Sequence, residues 1–314
     1  MNLYRIISLE TFIDLLHNKR ERYVRPETWD DNYEGYLFGK IENSKDRRKI
    51  IEDVYYNVCP RNYTATINNL LKLEHGKYFV YGQCWSTLSD SDALWRIYSY
   101  SHHAIQIKTT DVRIKNLLKT KADILYEIRK VKYDVEPEDN LMHEQVMQLK
   151  EAKIIYEPFF HKRKAFKHEA EVRVLVDDTC RNQVAGMSSM GVTWKIDEKM
   201  EEISQDVEKL NEIEKRLTEY MGHWKGKKLD VNFFLPIKYL NKYISGVKVH
   251  PMAEEWYVEL IKGLCEEYSI KFEGQSNYMV SKTFATLARG CGRFLGPELS
   301  NSKTASILHR TQTT

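Results

Sequence analysis

Charged and apolar residues alternate in the segment KHEAEVRVLV, residues 167–176. Side chains two positions apart on an extended strand point to the same face, so Glu169, Glu171 and Arg173 are predicted to lie side by side. Two such carboxylates raise each other's pKa, and a neighbouring arginine lowers both values. The arrangement can stabilise an oxocarbenium ion, or orient and deprotonate a nucleophile. The alternative is an antiparallel strand whose charged face is simply solvated.

Four further residues are candidates for contacts with a ligand. Arg5, in a predicted N-terminal strand, can clamp a phosphate or lie exposed at the surface. Ser86 and Thr87 follow an aromatic strand, where such residues form turns and helix caps, and Ser86, at the strand end, can instead hydrogen-bond to a ligand. Tyr98 shares a predicted helical face with Trp95, where core packing is the default for aromatic side chains.

Two other kinds of function stay open on these residues. The first is a metal-dependent nuclease, in which Asp31 and Glu34 converge with Glu169 and Glu171 on one ion. The acidic segment 28–35 does not have the spacing of an EF-hand loop, and no metal site is predicted there. The second is a non-catalytic sensor or partner-binding module, in which the acids only face solvent.

The composition is typical of a globular chain. Of the 314 residues, 42% are hydrophobic and 30% are charged. The net charge of +3 is too small to prove a nucleic-acid partner, although the pI of about 8.4 does not oppose one. The five cysteines are scattered without a CxxC pair, which favours a reducing compartment over a disulfide framework. No apolar run is long enough to span a bilayer. We therefore expect a cytoplasmic protein without a membrane partner.

Periodicity predicts helices and strands that do not alternate strictly, which is typical of an α+β fold. Helices are predicted over residues 9–20, 44–73 with a break near Pro60, 89–101 with Ser89 or Asp90 as cap, 138–165, 198–222 and 253–268. Strands are predicted over residues 3–7, 76–90, 103–109, 123–135, 168–176, 191–196, 228–235, 244–250 and 269–276.

The last 38 residues differ from the rest of the chain. Five basic residues and one glutamate give residues 277–314 a formal charge of +4. We therefore predict a single α+β domain over residues 1–276 and a basic C-terminal tail over 277–314, either poorly ordered or in contact with an acidic partner.

Several short motifs resemble a large bacterial family known mainly as a domain of unknown function. They are YRI at 4–6, TWDDNYEG at 28–35, CWSTLSDSDALWRIYSYSHHAIQI at 84–107 and KAFKHEAEVRV at 164–174. The resemblance extends over about residues 3–276. It departs from the family pattern at Phe166, where tryptophan is usual, and at Asn32, where proline is usual.

The order of the polar residues also resembles the R-S-E signature of ADP-ribosyltransferases. That resemblance implies a split, mixed β-sheet with flanking helices and NAD as substrate. It implies that Arg5 grips NAD near its phosphate and ribose, and that Ser86 with Thr87 supports the nicotinamide ribose. Tyr98 is the candidate aromatic over the nicotinamide. Glu171 would drive transfer, and Glu169 would orient the acceptor.

The expected function is thus transfer of ADP-ribose from NAD to a macromolecule, either nucleic acid or protein. A carboxylate beside the ribose stabilises the positive charge that develops when the N-glycosidic bond breaks. By analogy with bacterial proteins that carry such domains, we expect a toxin or phage-defence effector, regulated by an antitoxin or a chaperone.

Overall fold

Helices and strands follow one another along the chain without strict alternation. The computed structural model describes residues 1–29, 31, 35–99, 101–122, 124–135, 156–177 and 205–277. Within them the helices are α1 Leu9–Asn18, α2 Tyr36–Glu42, α3 Ser44–Asp53, α4 Tyr63–Phe79, α5 Asp92–Tyr98, α6 Asp111–Leu118, α7 Asp206–Trp224, α8 Leu240–Tyr243 and α9 Glu255–Glu267. The strands are β1 Asn2–Ile7, β2 Arg20–Val24, β3 Val80–Ser86, β4 Ile105–Thr110, β5 Leu125–Lys130, β6 Lys132–Val135, β7 His161–Arg163, β8 Glu171–Asp177, β9 Asn232–Pro236, β10 Gly246–Val249 and β11 Phe272–Gln275. Turns of 3-10 helix lie at Pro26–Thr28, Glu157–Phe160 and Lys164–Glu169, and a π-helical turn lies at Val54–Val58.

Strand β3 is the centre of the sheet because it pairs with three other strands. Along one edge it pairs with β8, which in turn pairs with β5. Along its other edge, Ser86 pairs with Tyr4 of β1, whereas Gly82 pairs with Val24 of β2. The sheet therefore divides at β3 into one branch through β1, β4, β10 and β11 and a second branch through β2 and β9. Among these pairs, β10 and β11 run parallel and all the others run antiparallel. The sheet is therefore mixed, as predicted.

Helices cover both faces of the sheet and bury two hydrophobic cores. One face packs against α1, α6 and α9 and includes Val172, Val174 and Val176 of β8. The opposite face packs against α2, α3, α4 and α7 and includes Leu175 of β8. All seven residues of β8 are buried. The predicted α+β class with flanking helices is confirmed, and the face of β8 that carries charges lies beneath the second helical layer.

Several element boundaries differ from the predictions. The strand predicted over 76–90 begins only at Val80, because α4 continues to Phe79. The strand predicted over 168–176 begins at Glu171, after a turn of 3-10 helix. The helix predicted over 138–165 is wrong for residues 156–165, which hold turns and β7, and its remainder lies outside the described residues.

The other predictions about helices and strands have mixed outcomes. The break near Pro60 separates the π-helical turn from α4. The cap of α5 is Ser91, whose Oγ accepts a hydrogen bond from the Leu94 amide, rather than Ser89 or Asp90. Helices α2, α6 and α8 were not predicted. The strand predicted over residues 191–196 is not among the described residues.

Residues Met1–Ser276 form one unit by their internal contacts. The predicted basic tail lies outside the described residues except for Asn277, so its separation from the domain stays a prediction. None of the helices in the described part of the chain is both long and apolar enough to cross a membrane.

A buried glutamate lies in the helical layer. Glu74 of α4 is fully buried, and the Tyr78 hydroxyl donates a hydrogen bond to its Oε1 at 3.3 Å. Within the described part of the chain, no group forms a hydrogen bond with its buried Oε2. Burial raises the pKa of Glu74 from 4.5 to about 7, although the charge of Lys77 opposes the shift.

This carboxyl should make stability depend on pH. Because its folded pKa lies above the unfolded value, the free energy of unfolding falls as pH rises through this interval, by about 3 kcal/mol in total. Glutamine mimics the protonated form, so we expect Glu74→Gln to stabilise the protein above neutral pH and to change little in acid. Urea unfolding at several pH values would measure this, with Glu219→Gln on the exposed face of α7 as control. An equal loss of stability at every pH would contradict the expectation.

Candidate functional site

A sharp bend positions the two glutamates of the E-x-E motif. Glu169 ends a turn of 3-10 helix and Glu171 begins β8, while Ala170 between them adopts a left-handed conformation with φ 45° and ψ 50°. The end of β3 holds this bend. The Ser86 hydroxyl donates to the Glu169 carbonyl at 2.7 Å, and the Thr87 amide donates to the Ala170 carbonyl at 3.1 Å. Ser86 and Thr87 thus fix the backbone of the motif.

One lysine joins the two carboxylates. Lys162 Nζ of β7 donates to Glu169 Oε2 at 2.7 Å and to Glu171 Oε2 at 3.0 Å. Arg173 holds the other side of Glu171, with Nε 2.7 Å from Glu171 Oε1, and its Nη1 donates to the Phe159 carbonyl at 2.5 Å. Strand alternation therefore brings Glu171 and Arg173 together as predicted, whereas the bend and Lys162 bring Glu169 to the pair.

The environments of the two carboxylates drive their pKa values apart. Glu169 is 7% exposed and Glu171 is 4% exposed, while Arg173 is completely buried. Burial by itself would raise the pKa of Glu171, but the charges of Arg173 and Lys162 outweigh burial and hold the pKa at about 2. Burial also raises the pKa of Glu169, and here Lys162 alone does not reverse the shift. Glu171 is thus the more acidic carboxyl of the pair and Glu169 the more basic one.

Aromatic and thiol groups surround the pair. The Tyr133 hydroxyl accepts a hydrogen bond from the Glu171 amide at 2.7 Å, and burial raises the pKa of Tyr133 to about 12. The Cys84 thiol hydrogen-bonds to the Glu171 carboxylate. Tyr98 is 50% exposed, and burial of its hydroxyl together with the nearby charge of Glu169 raises its pKa. The ring of Tyr98 therefore lies at the solvent side of the site.

The buried guanidinium of Arg173 depends on an aromatic ring and a glycine. Its carbon lies 4.4 Å from the centre of the Trp29 ring. A Cβ on Gly82 would approach that ring to 2.5 Å, so β3 needs glycine where Trp29 lies against it. The Trp29 ring thus packs on the buried guanidinium of Arg173, which pairs with Glu171.

Arg5 is not brought to the carboxylate pair. Tyr4 pairs with Ser86 and Ser86 pairs with Glu171, so these three side chains share one face of the sheet. Arg5, next to Tyr4, points to the opposite face. There its Nη2 donates to Glu21 Oε1 at 2.7 Å, and its guanidinium lies 4.7 Å from the Trp85 ring centre.

The remaining sequence candidates have other contacts. Trp95 is fully buried and donates to the Ser276 hydroxyl at 3.1 Å, so it packs in the core. Asp31 forms an ion pair with Arg163 at 2.8 Å, and Glu34 lies outside the described residues. In the described part of the chain, no three His, Cys, Asp or Glu side chains are grouped to hold a metal ion.

Sequence reasoning missed three residues of the site: Lys162, Tyr133 and Cys84. Lys162 lies seven positions before Glu169 within a segment predicted to be helical, so no local spacing indicated their contact. Tyr133 reaches Glu171 from the other side of β8. Cys84 was detectable, because it lies two residues before Ser86 on the same strand and hence on the same face.

One protein-family model matches a part of the chain that includes this site. Residues 94–174 match the model of a family described as a protein of unknown function (DUF2971). The matched segment ends in β8 and contains both glutamates and Arg173, which confirms the predicted resemblance to a domain of unknown function. No curated protein and no solved structure shows significant similarity to the chain. The resemblance to ADP-ribosyltransferases stays a prediction.

Removal of the shared ammonium should destabilise the protein. In Lys162→Met, Glu169 remains buried without its cation, and we expect a loss of about 3 kcal/mol. The pKa of Glu169 should rise further, so the loss should be larger at about pH 8 than at about pH 5. Chemical unfolding at both pH values would measure it, with exposed Lys119→Met as control. Adding Glu169→Gln should recover much of the loss, and a double mutant as unstable as Lys162→Met would contradict the shared-cation account.

Relief of the left-handed conformation at residue 170 should stabilise the bend. Glycine adopts positive φ without the steric conflict of a Cβ, so we expect Ala170→Gly to raise the free energy of unfolding by about 1 kcal/mol. Ala165→Gly, on the exposed 3-10 turn before the bend, should lower it slightly. Urea midpoints at unchanged slope would measure both variants. A lower midpoint for Ala170→Gly would show that the bend is not strained.

Proposed function

We propose that this protein transfers ADP-ribose from NAD to a macromolecule, with Glu169 and Glu171 as the catalytic pair. The observation that carries the proposal is the divergence of their pKa values within one cluster: Glu171 is held ionised, and Glu169 has a raised pKa. Two carboxylates in unlike environments are typical of sites that combine charge stabilisation with proton transfer. The divided sheet and the position of Ser86 beside Glu171 fit an ADP-ribosyltransferase-like fold.

In this mechanism the bond between C1′ of the nicotinamide ribose and the nicotinamide nitrogen breaks, and its electron pair leaves with neutral nicotinamide. Glu171 supplies negative charge near the ribosyl cation. An oxygen or nitrogen of the acceptor bonds to C1′, and Glu169 takes the proton which that atom loses. Tyr98, half exposed beside Glu169, is the candidate to pack against the nicotinamide.

The proposed roles differ from the sequence prediction at two residues. Arg5 has no part in binding NAD here, because it lies on the opposite face of the sheet in an ion pair with Glu21. Ser86 acts on the backbone of the motif, since its hydroxyl holds the Glu169 carbonyl. It is a positioning residue rather than a contact of the nicotinamide ribose.

A non-catalytic partner-binding module is the second candidate, and one observation favours it. Lys162 and Arg173 balance the formal charges of Glu169 and Glu171, and all four residues are less than a tenth exposed. Buried clusters of this kind also occur where they only fix a unique packing. The two candidates differ in what neutralisation of Glu169 should do.

Incubation of the purified full chain with adenylate-labelled NAD, in the presence of total RNA, DNA or cell lysate, tests the proposal. Glu169→Gln should lower the rate of label transfer by about a hundredfold or more, as expected for loss of a general base. It should fold normally, because glutamine can still accept the hydrogen bond from Lys162. Glu171→Gln is a less clean variant, since it leaves Arg173 buried beside a neutral group.

Two controls make this test decisive. Glu219→Gln, on the exposed face of α7, should transfer label at the wild-type rate. Thermal unfolding of each variant separates lost chemistry from lost folding. Intact NAD in every wild-type reaction would reject the enzyme and favour the binding module, and metal-dependent cleavage of RNA or DNA would favour the nuclease.

A further inference from the structure

Glu157 is a third buried carboxylate close to the candidate site. It lies in the 3-10 turn Glu157–Phe160 that leads into β7, and it is 1% exposed. Its Oε2 accepts a hydrogen bond from Arg129 Nη2 at 2.6 Å. Its Oε1 accepts one from Lys132 Nζ at 3.0 Å and lies 3.0 Å from His161 Nε2. Burial by itself would raise the pKa of this carboxyl, but these three partners hold the pKa at about 2, so Glu157 is ionised at neutral pH.

The two oxygens of Glu157 bond to two different sheets. Arg129 belongs to β5 of the nine-stranded sheet, where it pairs with Arg173 of β8. Lys132 and His161 pair with each other across β6 and β7, which form a separate two-stranded sheet. Oε2 therefore holds the larger sheet, and Oε1 holds one residue pair of the smaller sheet. The carboxylate of Glu157 thus clamps one sheet to the other.

The smaller sheet brings two groups to the carboxylate pair. Lys162 follows His161 on β7, and Tyr133 follows Lys132 on β6. Because successive side chains of a strand point to opposite faces, Lys132 and His161 project towards Glu157 from one face, and Tyr133 and Lys162 project from the other. From that second face, Lys162 reaches both glutamates of the pair, and the Tyr133 hydroxyl accepts from the amide that begins β8. The clamp on one face therefore determines where these two groups lie on the other.

We propose that Glu157 is a positioning residue of the candidate site, and that its clamp between the two sheets holds Lys162 and Tyr133 against the carboxylate pair. This placement does not depend on what the site does, whereas its effect on transfer of ADP-ribose rests on the proposed function. A buried carboxylate with several donors suits this role, because charge-assisted hydrogen bonds are short and directional. Loss of the clamp should let the ammonium of Lys162 move away from Glu169.

The titration of Glu169 in the full chain tests this proposal. Carbon NMR of protein labelled at the glutamate carboxyl carbons would follow it, with Glu169→Gln to assign the signal. In Glu157→Met, a displaced Lys162 ammonium should raise the midpoint of the Glu169 titration by about one pH unit. Removal of a nearby negative charge would by itself lower that midpoint, so the sign of the shift separates lost positioning from a simple change of charge.

Two further variants control for folding and for charge. Glu157→Gln keeps an acceptor for Lys132, so it should raise the midpoint by less, and it carries the test if Glu157→Met does not fold. Glu214→Met removes a carboxylate that pairs with Arg47 and Arg48 in the helical layer, and it should leave the midpoint unchanged. A midpoint that is unchanged or lower in the folded Glu157 variants overturns the proposal.

The outcomes separate this proposal from the proposed function. A raised midpoint, with NAD left intact by the wild-type chain, keeps Glu157 as a positioning residue and rejects the transferase. Label transfer by the wild type, with an unchanged midpoint in the Glu157 variants, keeps the transferase and overturns the positioning role. Where both hold, the pH of half-maximal transfer should rise together with the titration midpoint, because Glu169 must lose its proton to act as the base.

Discussion

The ammonium of Lys162 is the interaction on which the candidate site depends. It bonds to Glu169 on one side of a bend and to Glu171 on the other. Without a shared cation, two carboxylates this deeply buried would repel each other and lose their hydration. The ammonium therefore stabilises the two carboxylates across the bend. Ala170, between them, has a left-handed backbone, and Glu169 lies outside the strand that Glu171 begins.

The same cluster explains how two chemically identical groups acquire different properties. Glu171 contacts Lys162 and the buried Arg173, and accepts a hydrogen bond from Cys84, and these three groups together outweigh the effect of burial on its pKa. Glu169 bonds to Lys162 but has no contact with Arg173 among the described residues, and it lies near the half-exposed Tyr98. The largest favourable contribution to the anion of Glu171 comes from Arg173, two residues along β8, and the Cys84 thiol adds to it.

The sequence was sufficient to predict the α+β fold class and the three charged residues Glu169, Glu171 and Arg173. It was not sufficient to predict the tertiary contacts that join them. Alternation in β8 identified Glu171 and Arg173 correctly, because it depends only on backbone period. It failed at Glu169, because a left-handed alanine leaves no signal in composition, unlike glycine. Lys162 could not be found, since its contact with Glu171 requires β7, which lies in a segment with helical periodicity. Tertiary contacts of this kind can place residues in a strand although the local sequence has helical periodicity.

The divided sheet explains why Arg5 is unavailable to the site. Strands β1 and β2 both pair with β3, one near its end and the other near its start, so they diverge. Arg5 of β1 reaches Glu21 of β2 across this divergence, and Gln83 of β3 donates to the same carboxylate oxygen at 2.8 Å. These contacts join all three strands on the face opposite Glu171. An arginine used to hold the two branches together cannot also bind a ligand on the other face, so any phosphate at the candidate site must find its cations elsewhere.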